Sequence, residues 1–472
     1  MESGFRRFSV RTLFFLLLAA AAILIMAWQP FQNLESLGHM ALGCTLLTVG
    51  GWIFKPFGLP NSISGLFLLG AMLICGMPAG NVFAGFSQNA LWTLIPALFL
   101  GLALQKTGLG ERITVGLLKI FPCSWAAIIC AWVIIGTALS LVTPSMTVRA
   151  VIMIPIASQS CRLFGLKPGS RDASFMLLIT IFTAIFPGNA FLTGNLTAPI
   201  IQGIFDSTRG LEDSITFDTW IRAALLPVAI ITVVTVVLAF FFLRPENPLS
   251  KEAFLDHISI KGKITREETV TAAVLFVSCA LFFTGRYHGI SSTAICIMAA
   301  VILFAAGVVK PEEFAKGINW DLVFFFGSGL CMSSIFQASG VSDWLAGILS
   351  GLILPIVRNP FVFVLVVSVV LFIWRFVDVT TLIPTTVILA PVISRIAAET
   401  GISPSVWGVI LAVVSISMFL TYTNMWTAMG KGMVGDYAWS EGQLFRFGSA
   451  FFLAAMIGLL VSVPYWMGAG LL

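Results

Sequence analysis

Thr143-Pro144-Ser145-Met146-Thr147-Val148-Arg149 sets hydroxyls and an arginine between two apolar runs, IICAWVIIGTALSLV before and AVIMIPIA after, that could both lie in lipid. A charge at that depth is costly, so Arg149 must face a polar cavity or line a substrate path. Thr143 as N-cap and Pro144 at the first helical position would let a new helix begin here. Its free N–H groups and positive dipole end would point toward the membrane midplane, where an anion fits.

Outward from that stretch the chain is apolar almost throughout. Of its 472 residues 58% are hydrophobic and 10% charged, with mean hydropathy +1.01, against roughly 25% charged in a soluble domain. Runs such as Pro56 to Gln105, Ala173 to Phe205 and Ala223 to Leu243 exceed the roughly 18 uncharged residues of a spanning helix. The reading is an all-α polytopic membrane protein. Thr12 to Trp28 is read as a retained helix rather than a secretory signal, because no small-residue cleavage site follows it. The eight cysteines are scattered without a CxxC pair and read as small core hydrophobes. The net charge of +5 is assigned to loop residues that orient the chain, not to nucleic acid.

The order of apolar units repeats. An N-terminal helix occupies 1–37. A first repeat over 38–243 carries a paired segment at 123–163 and a broken helix at 172–206, and a cytoplasmic linker covers 244–268. A second repeat over 269–472 carries a paired segment at 359–397 and a broken helix at 405–435. Gln105-Lys106-Thr107-Gly108-Leu109 and Gln337-Ala338-Ser339-Gly340-Val341 mark the same point in each half. Five hydrophobic units per repeat, an odd number, invert the second copy relative to the first. Lysine and arginine bias puts Lys55, Lys106, Arg112, Lys167, Arg171, Lys310 and Lys316 on one face, leaving only Arg209, Arg222, Arg286, Arg358 and Arg395 on the other. This sets the N-terminus in the cytoplasm and the C-terminus outside. Charge alone leaves open whether each paired segment is re-entrant or fully spanning.

Few ionisable groups remain in apolar surroundings. Arg375 and Asp378 sit in the second paired segment as Arg149 does in the first, and three residues apart they could simply pair with each other. The two interruptions, Pro187 to Thr197 and Thr421 to Thr427, combine helix breakers with amides and hydroxyls. Broken helices survive inside a bilayer only where they line a cavity, the bland alternative being a kink relieved by neighbouring helices. Unwound carbonyls there can hold a cation while restarted half-helices at Asn195 and Asn424 aim N–H groups inward. The three histidines lie far apart and no HExxH or nucleophile elbow occurs, so no enzyme is expected.

These features resemble the divalent anion/sodium symporter (DASS) family, whose Ser-Asn-Thr signature at each hairpin tip is followed eight residues later by a Pro. Ser145-Met146-Thr147 is followed by Pro155 at that spacing, and Pro144 and Arg149 are similar to the branch of citrate/succinate and tartrate/succinate antiporters and oxoglutarate/malate translocators. Ile318-Asn319-Trp320-Asp321 with Phe326-Gly327-Ser328-Gly329 is a further match. The chain also departs from the pattern. Met146 replaces the signature Asn, the second signature reads Thr381-Leu382-Ile383 before Pro391, and Ala198 stands where an Asn is expected.

The resemblance implies a homodimer in the bacterial inner membrane. In it a transport domain would carry a di- or tricarboxylate across by an elevator mechanism, as exchanger or sodium-coupled symporter, with a sulfate- or arsenite-type carrier as the alternative. The substrate residues it implies are Ser145, Thr147, Arg149, Asn195, Thr197, Arg375, Thr380, Thr381 and Asn424. Cation positions are Ser145, Gly188, Asn189, Asp378 and Thr423. No cofactor is expected beyond sodium as a coupling ion, and the partners are a small anion and the lipid bilayer.

Overall fold

The computed structural model describes residues 10–118, 120, 124–246, 249, 262–376, 378 and 382–472. Thr380, Thr381 and most of the 244–268 linker lie outside the described residues. The described chain is helical, with no strand among those residues. Five of its helices are long and apolar enough to cross a membrane by length and composition, and shorter apolar helices fill the space between them.

Helix α1 (Val10–Trp28) precedes the repeats and packs on α2. The first repeat runs α2 (Ser36–Phe54), α3 (Asn61–Ile74), α4 (Ala79–Val82), α5 (Asn89–Thr107), α6 (Leu109–Leu118), α7 (Trp125–Val142), α8 (Met146–Leu163), α9 (Arg171–Ile185), α10 (Thr197–Asp206) and α11 (Phe217–Leu243). The second follows as α12 (Arg266–His288), α13 (Ser292–Ala305), α14 (Glu313–Lys316), α15 (Trp320–Ala338), α16 (Val341–Val357), α17 (Pro360–Trp374), α18 (Ile383–Thr400), α19 (Pro404–Ser415), α20 (Met425–Val434) and α21 (Glu441–Gly468). Each element of one repeat has its counterpart in the other.

Packing carries the same symmetry. Helix α3 lies on α15 while α13 lies on α5, and α11 packs along its own counterpart α21. The restarted half-helices cross over as well: α10 contacts α18, and α20 contacts α8. Such swapped contacts make the two repeats one body, because neither can bury its faces alone.

Small residues set the closest approaches. A Cβ on Gly136 of α7 would lie 2.0 Å from the Thr183 carbonyl of α9, and one on Gly448 of α21 would lie 2.5 Å from Met418 O beside the second break. In lipid, where apolar surface gains little by leaving its surroundings, such backbone contacts are what hold helices together.

Candidate substrate site

The first helix pair turns where the sequence suggests, but not by the expected cap. Thr143 ends α7, and Ser145 is the N-cap of α8, its Oγ accepting from Val148 N at 3.3 Å. Pro144 therefore sits before the cap instead of at the first helical position. The reason is visible in Thr143, whose carbonyl is turned toward Arg149 and whose Oγ1 accepts from Ser145 N at 3.3 Å.

Arg149 is fully buried, and its guanidinium is spent on protein oxygens. Nε donates to Ala184 O at 2.6 Å, and Nη1 donates to Gly194 O at 2.8 Å and to Thr143 O. Nη2 reaches Asn195 Oδ1 at 3.5 Å. Ala184 lies in the last turn of α9, where carbonyls lack helical partners and the dipole is negative. The arginine thus ties the tip of one pair to both sides of the first break.

Arg375 repeats this in the second half. Its Nη1 donates to the Asp378 carbonyl at its own tip, and Nη2 donates to Ser415 O at 3.2 Å and Thr423 O at 2.7 Å. Ser415 ends α19 as Ala184 nears the end of α9, and Thr423 precedes Asn424 as Gly194 precedes Asn195. The correspondence is residue by residue.

The two asparagines divide the work differently. Asn424 Oδ1 caps α20, accepting from Trp426 N at 3.0 Å and Thr427 N at 3.2 Å, while its amide donates back to Ile416 O and Ser417 O. Asn195 does not cap α10: its Nδ2 donates back to Ile185 O at 2.9 Å and Asn189 Oδ1 at 2.8 Å. The N-cap of α10 is Leu196, whose side chain has no polar atom to offer. The N-cap of α18 is Leu382, at φ 60° and equally uncapped. At two of the four inward helix starts, then, the N-cap residue itself supplies no side-chain cap.

Of the expected cation positions, Gly188 needs its missing side chain. A Cβ there would lie 2.2 Å from Gly194 O and 3.0 Å from Arg149 Nη2. Thr423 Oγ1 is turned to Leu420 O at 2.8 Å, and Asp378 Oδ2 accepts from Thr385 Oγ1 at 2.5 Å. Arginine nitrogens, rather than open space, meet the unwound carbonyls.

A cavity of about 1090 Å³ opens between these tips and the helices α2, α3, α5 and α15. Ser145, Thr147, Thr197 and Arg375 line it. Arg149, Gly188, Asn189, Asn195, Asp378, Thr423 and Asn424 stand behind this layer. Three polar atoms on residues of the wall are buried without a partner among the described residues: Asn61 Oδ1, Thr197 Oγ1, on a residue 3% exposed, and Arg375 Nε, on one 1% exposed. Sequence reasoning missed Trp426, whose Nε1 donates to Thr147 Oγ1 at 3.2 Å and closes the wall between the repeats. It also missed Lys55 at the mouth. An aromatic just after a helix break was the available signal for Trp426.

Paired helix tips and broken helices meeting at one buried polar centre, in two repeats whose elements correspond, define an all-α polytopic membrane protein built from an internal repeat. The chain belongs to the family described as the sodium:sulfate symporter transmembrane region, the DASS family, which matches residues 10–472. It is 24% identical over 342 residues to a chloroplastic dicarboxylate transporter 1 of Arabidopsis thaliana, covering 70% of this chain and 61% of that one. It is 25% identical to the citrate/succinate antiporter of Escherichia coli K12, covering 57% of this chain and 56% of that one. It is also 23% identical to the putative malate transporter YflS of Bacillus subtilis, covering 70% and 71%. The chain spans 55% to 61% of the length of the chloroplast transporters from spinach and Arabidopsis that are named dicarboxylate transporter 1. Among solved structures it is similar in fold to the Alcanivorax borkumensis YdaH transporter, at TM-score 0.55 and 16% identity over 98% of both chains.

Proposed function

We propose that the protein is a secondary transporter that exchanges di- or tricarboxylate anions across the bacterial inner membrane, with its N-terminus cytoplasmic and its C-terminus outside. The observation that carries the exchange reading is the pair of buried guanidiniums. Arg149 and Arg375 donate to the unwound carbonyls of Gly194 and Thr423, the groups a coupling cation would need. The residues therefore do not fit a bound sodium, and fixed positive charge stands in its place behind the anion site. Arg375 has the Asp378 carboxylate at its own tip, whereas the described partners of Arg149 are neutral oxygens. A carrier with that built-in charge has reason to return loaded, since an empty return leaves it uncompensated.

The anion would sit at the uncapped start of α10, with Ser145 and Thr197 hydroxyls and the Arg375 Nε beside it. Swapped packing of α10 on α18 and α20 on α8 supports treating α7–α11 and α17–α21 as the moving unit of an elevator. The helices α1–α5 and α12–α15 would form the fixed, dimeric scaffold. The names of the relatives, dicarboxylate transporter and citrate/succinate antiporter, agree with an organic anion.

The test is counterflow in proteoliposomes. Labelled succinate or citrate should enter only vesicles preloaded with an unlabelled carboxylate, at the same rate in sodium or potassium. Uptake that requires sodium and no internal anion would overturn exchange, and sulfate displacing the label at equal concentration would turn the reading toward an inorganic anion.

A further inference from the structure

Resting on the carboxylate reading above, we infer that Trp426 is a positioning residue for the anion: its indole holds the Thr147 hydroxyl so that the hydroxyl hydrogen is left for a substrate carboxylate. A helical threonine commonly turns its hydroxyl back to the carbonyl four residues earlier. In this chain Thr48, Thr137, Thr180 and Thr183 all do so, at 2.8 to 2.9 Å. Thr147 makes no such bond among the described residues. The carbonyl four residues before it belongs to Thr143, outside α8, and already receives Arg149 Nη1. Thr147 Oγ1 instead accepts from Trp426 Nε1 at 3.2 Å.

An indole N–H can only donate, so the Thr147 oxygen is the acceptor in that bond and its single hydrogen takes no part in it. Thr147 lines the large cavity between the helix tips, which is where that hydrogen finds an acceptor once an anion arrives. The indole is itself firmly placed. Trp426 is 3% exposed, its backbone N–H donates to Asn424 Oδ1 at 3.0 Å, and α20 packs on α8. Ser145, two residues earlier on the same wall, has its oxygen held by Val148 N within α8. The aim of the Thr147 donor, by contrast, is set from the second repeat, so a distant half-helix prepares the first tip for charge.

Thr147→Val keeps the shape of the side chain and removes the hydroxyl, while Trp426→Phe keeps a ring and removes the N–H. In thermal-shift titration of the purified full chain with succinate or citrate, whichever protects the wild type, each variant should need about tenfold more anion, the scale of one hydrogen bond to a charged group. The KM of exchange in vesicles should rise by the same factor, with the maximal rate nearly kept. The double variant should bind no more weakly than Thr147→Val alone, because without the hydroxyl the indole has nothing to aim. Thr147→Ser should bind like the wild type and lose that binding when combined with Trp426→Phe. Where the phenylalanine is not tolerated, benzothienylalanine at position 426 keeps the indole shape without the N–H. Normal binding by Trp426→Phe beside weak binding by Thr147→Val would show that the hydroxyl needs no indole. Losses that multiply in the double variant would show two independent contacts, and a lower melting temperature with an unchanged midpoint would leave Trp426 a packing residue. Each of these overturns the inference and leaves carboxylate exchange standing. If neither anion protects the wild type and neither is exchanged, both readings fall together.

Discussion

A guanidinium presents five N–H donors in one plane, which an ammonium cannot imitate. At Arg149 those donors meet Ala184, Thr143 and Gly194 carbonyls and the Asn195 amide oxygen together, so the side chain is a strut as much as a charge. Replacing it by Lys keeps the charge and strands most of those buried acceptors. At about 1–3 kcal/mol for each buried polar group left without a partner, Arg149→Lys should cost on the order of 3 kcal/mol. Melting of the purified variant should fall clearly and exchange should be lost. An unshifted melting temperature with exchange lost would return Arg149 to a direct role on the anion. Arg375 offers the contrast, because it lines the cavity and its Nε is buried without a partner among the described residues.

Among elements, the breaks depend on what their neighbours supply. Helix α20 is held at its start by Asn424, and removal of an N-cap side chain costs roughly 0.5–2 kcal/mol. Asn424→Ala should therefore lower the melting temperature and slow exchange, since the amide also satisfies Ile416 and Ser417 carbonyls. Helix α7 approaches α9 so closely at Gly136 that one added methyl would collide with the Thr183 carbonyl. Overpacking of this kind costs about 1–3 kcal/mol, and Gly136→Ala should separate the first tip from its broken helix. Reduced melting temperature beside normal membrane insertion, read by fluorescence size exclusion, is the expected outcome; an unaltered profile would show that the helices can part without loss. Leu382 is the element-scale oddity, a non-glycine residue at φ 60° starting α18. Backbone strain of about 1–3 kcal/mol at such a position is tolerated where function holds it.

For the molecule as a whole, the cavity decides which side has access. Lys55, Gln105, Asn319 and Asp321 line its mouth, on the face that the lysine and arginine bias assigns to the cytoplasm. Met425→Cys in a cysteine-free background should react with a membrane-impermeant maleimide from that face in inside-out vesicles, and far more slowly in right-side-out vesicles. Equal labelling from both sides would contradict a single open face. Asp321 itself is a strut across the repeats, its Oδ1 accepting from Ser62 N at 2.8 Å.

Hydrophobic run length, breaker residues and charge bias are local quantities, and they determined the all-helical membrane class, the recurrence of units, and the places where the chain turns near Pro144 and breaks at Pro187 and Thr421. They also marked Arg149 and Arg375 as exceptional, since a cation in lipid is costly wherever its partners lie. Which oxygens those cations meet was decided only in three dimensions. Ala184 and Gly194 are 35 and 45 residues from Arg149, and Trp426 reaches Thr147 across 279 residues. No spacing in the chain encodes such meetings. The arginine contacts follow from each helix pair folding onto the broken helix of its own repeat, and the contact of Trp426 with Thr147 from the two repeats folding against each other.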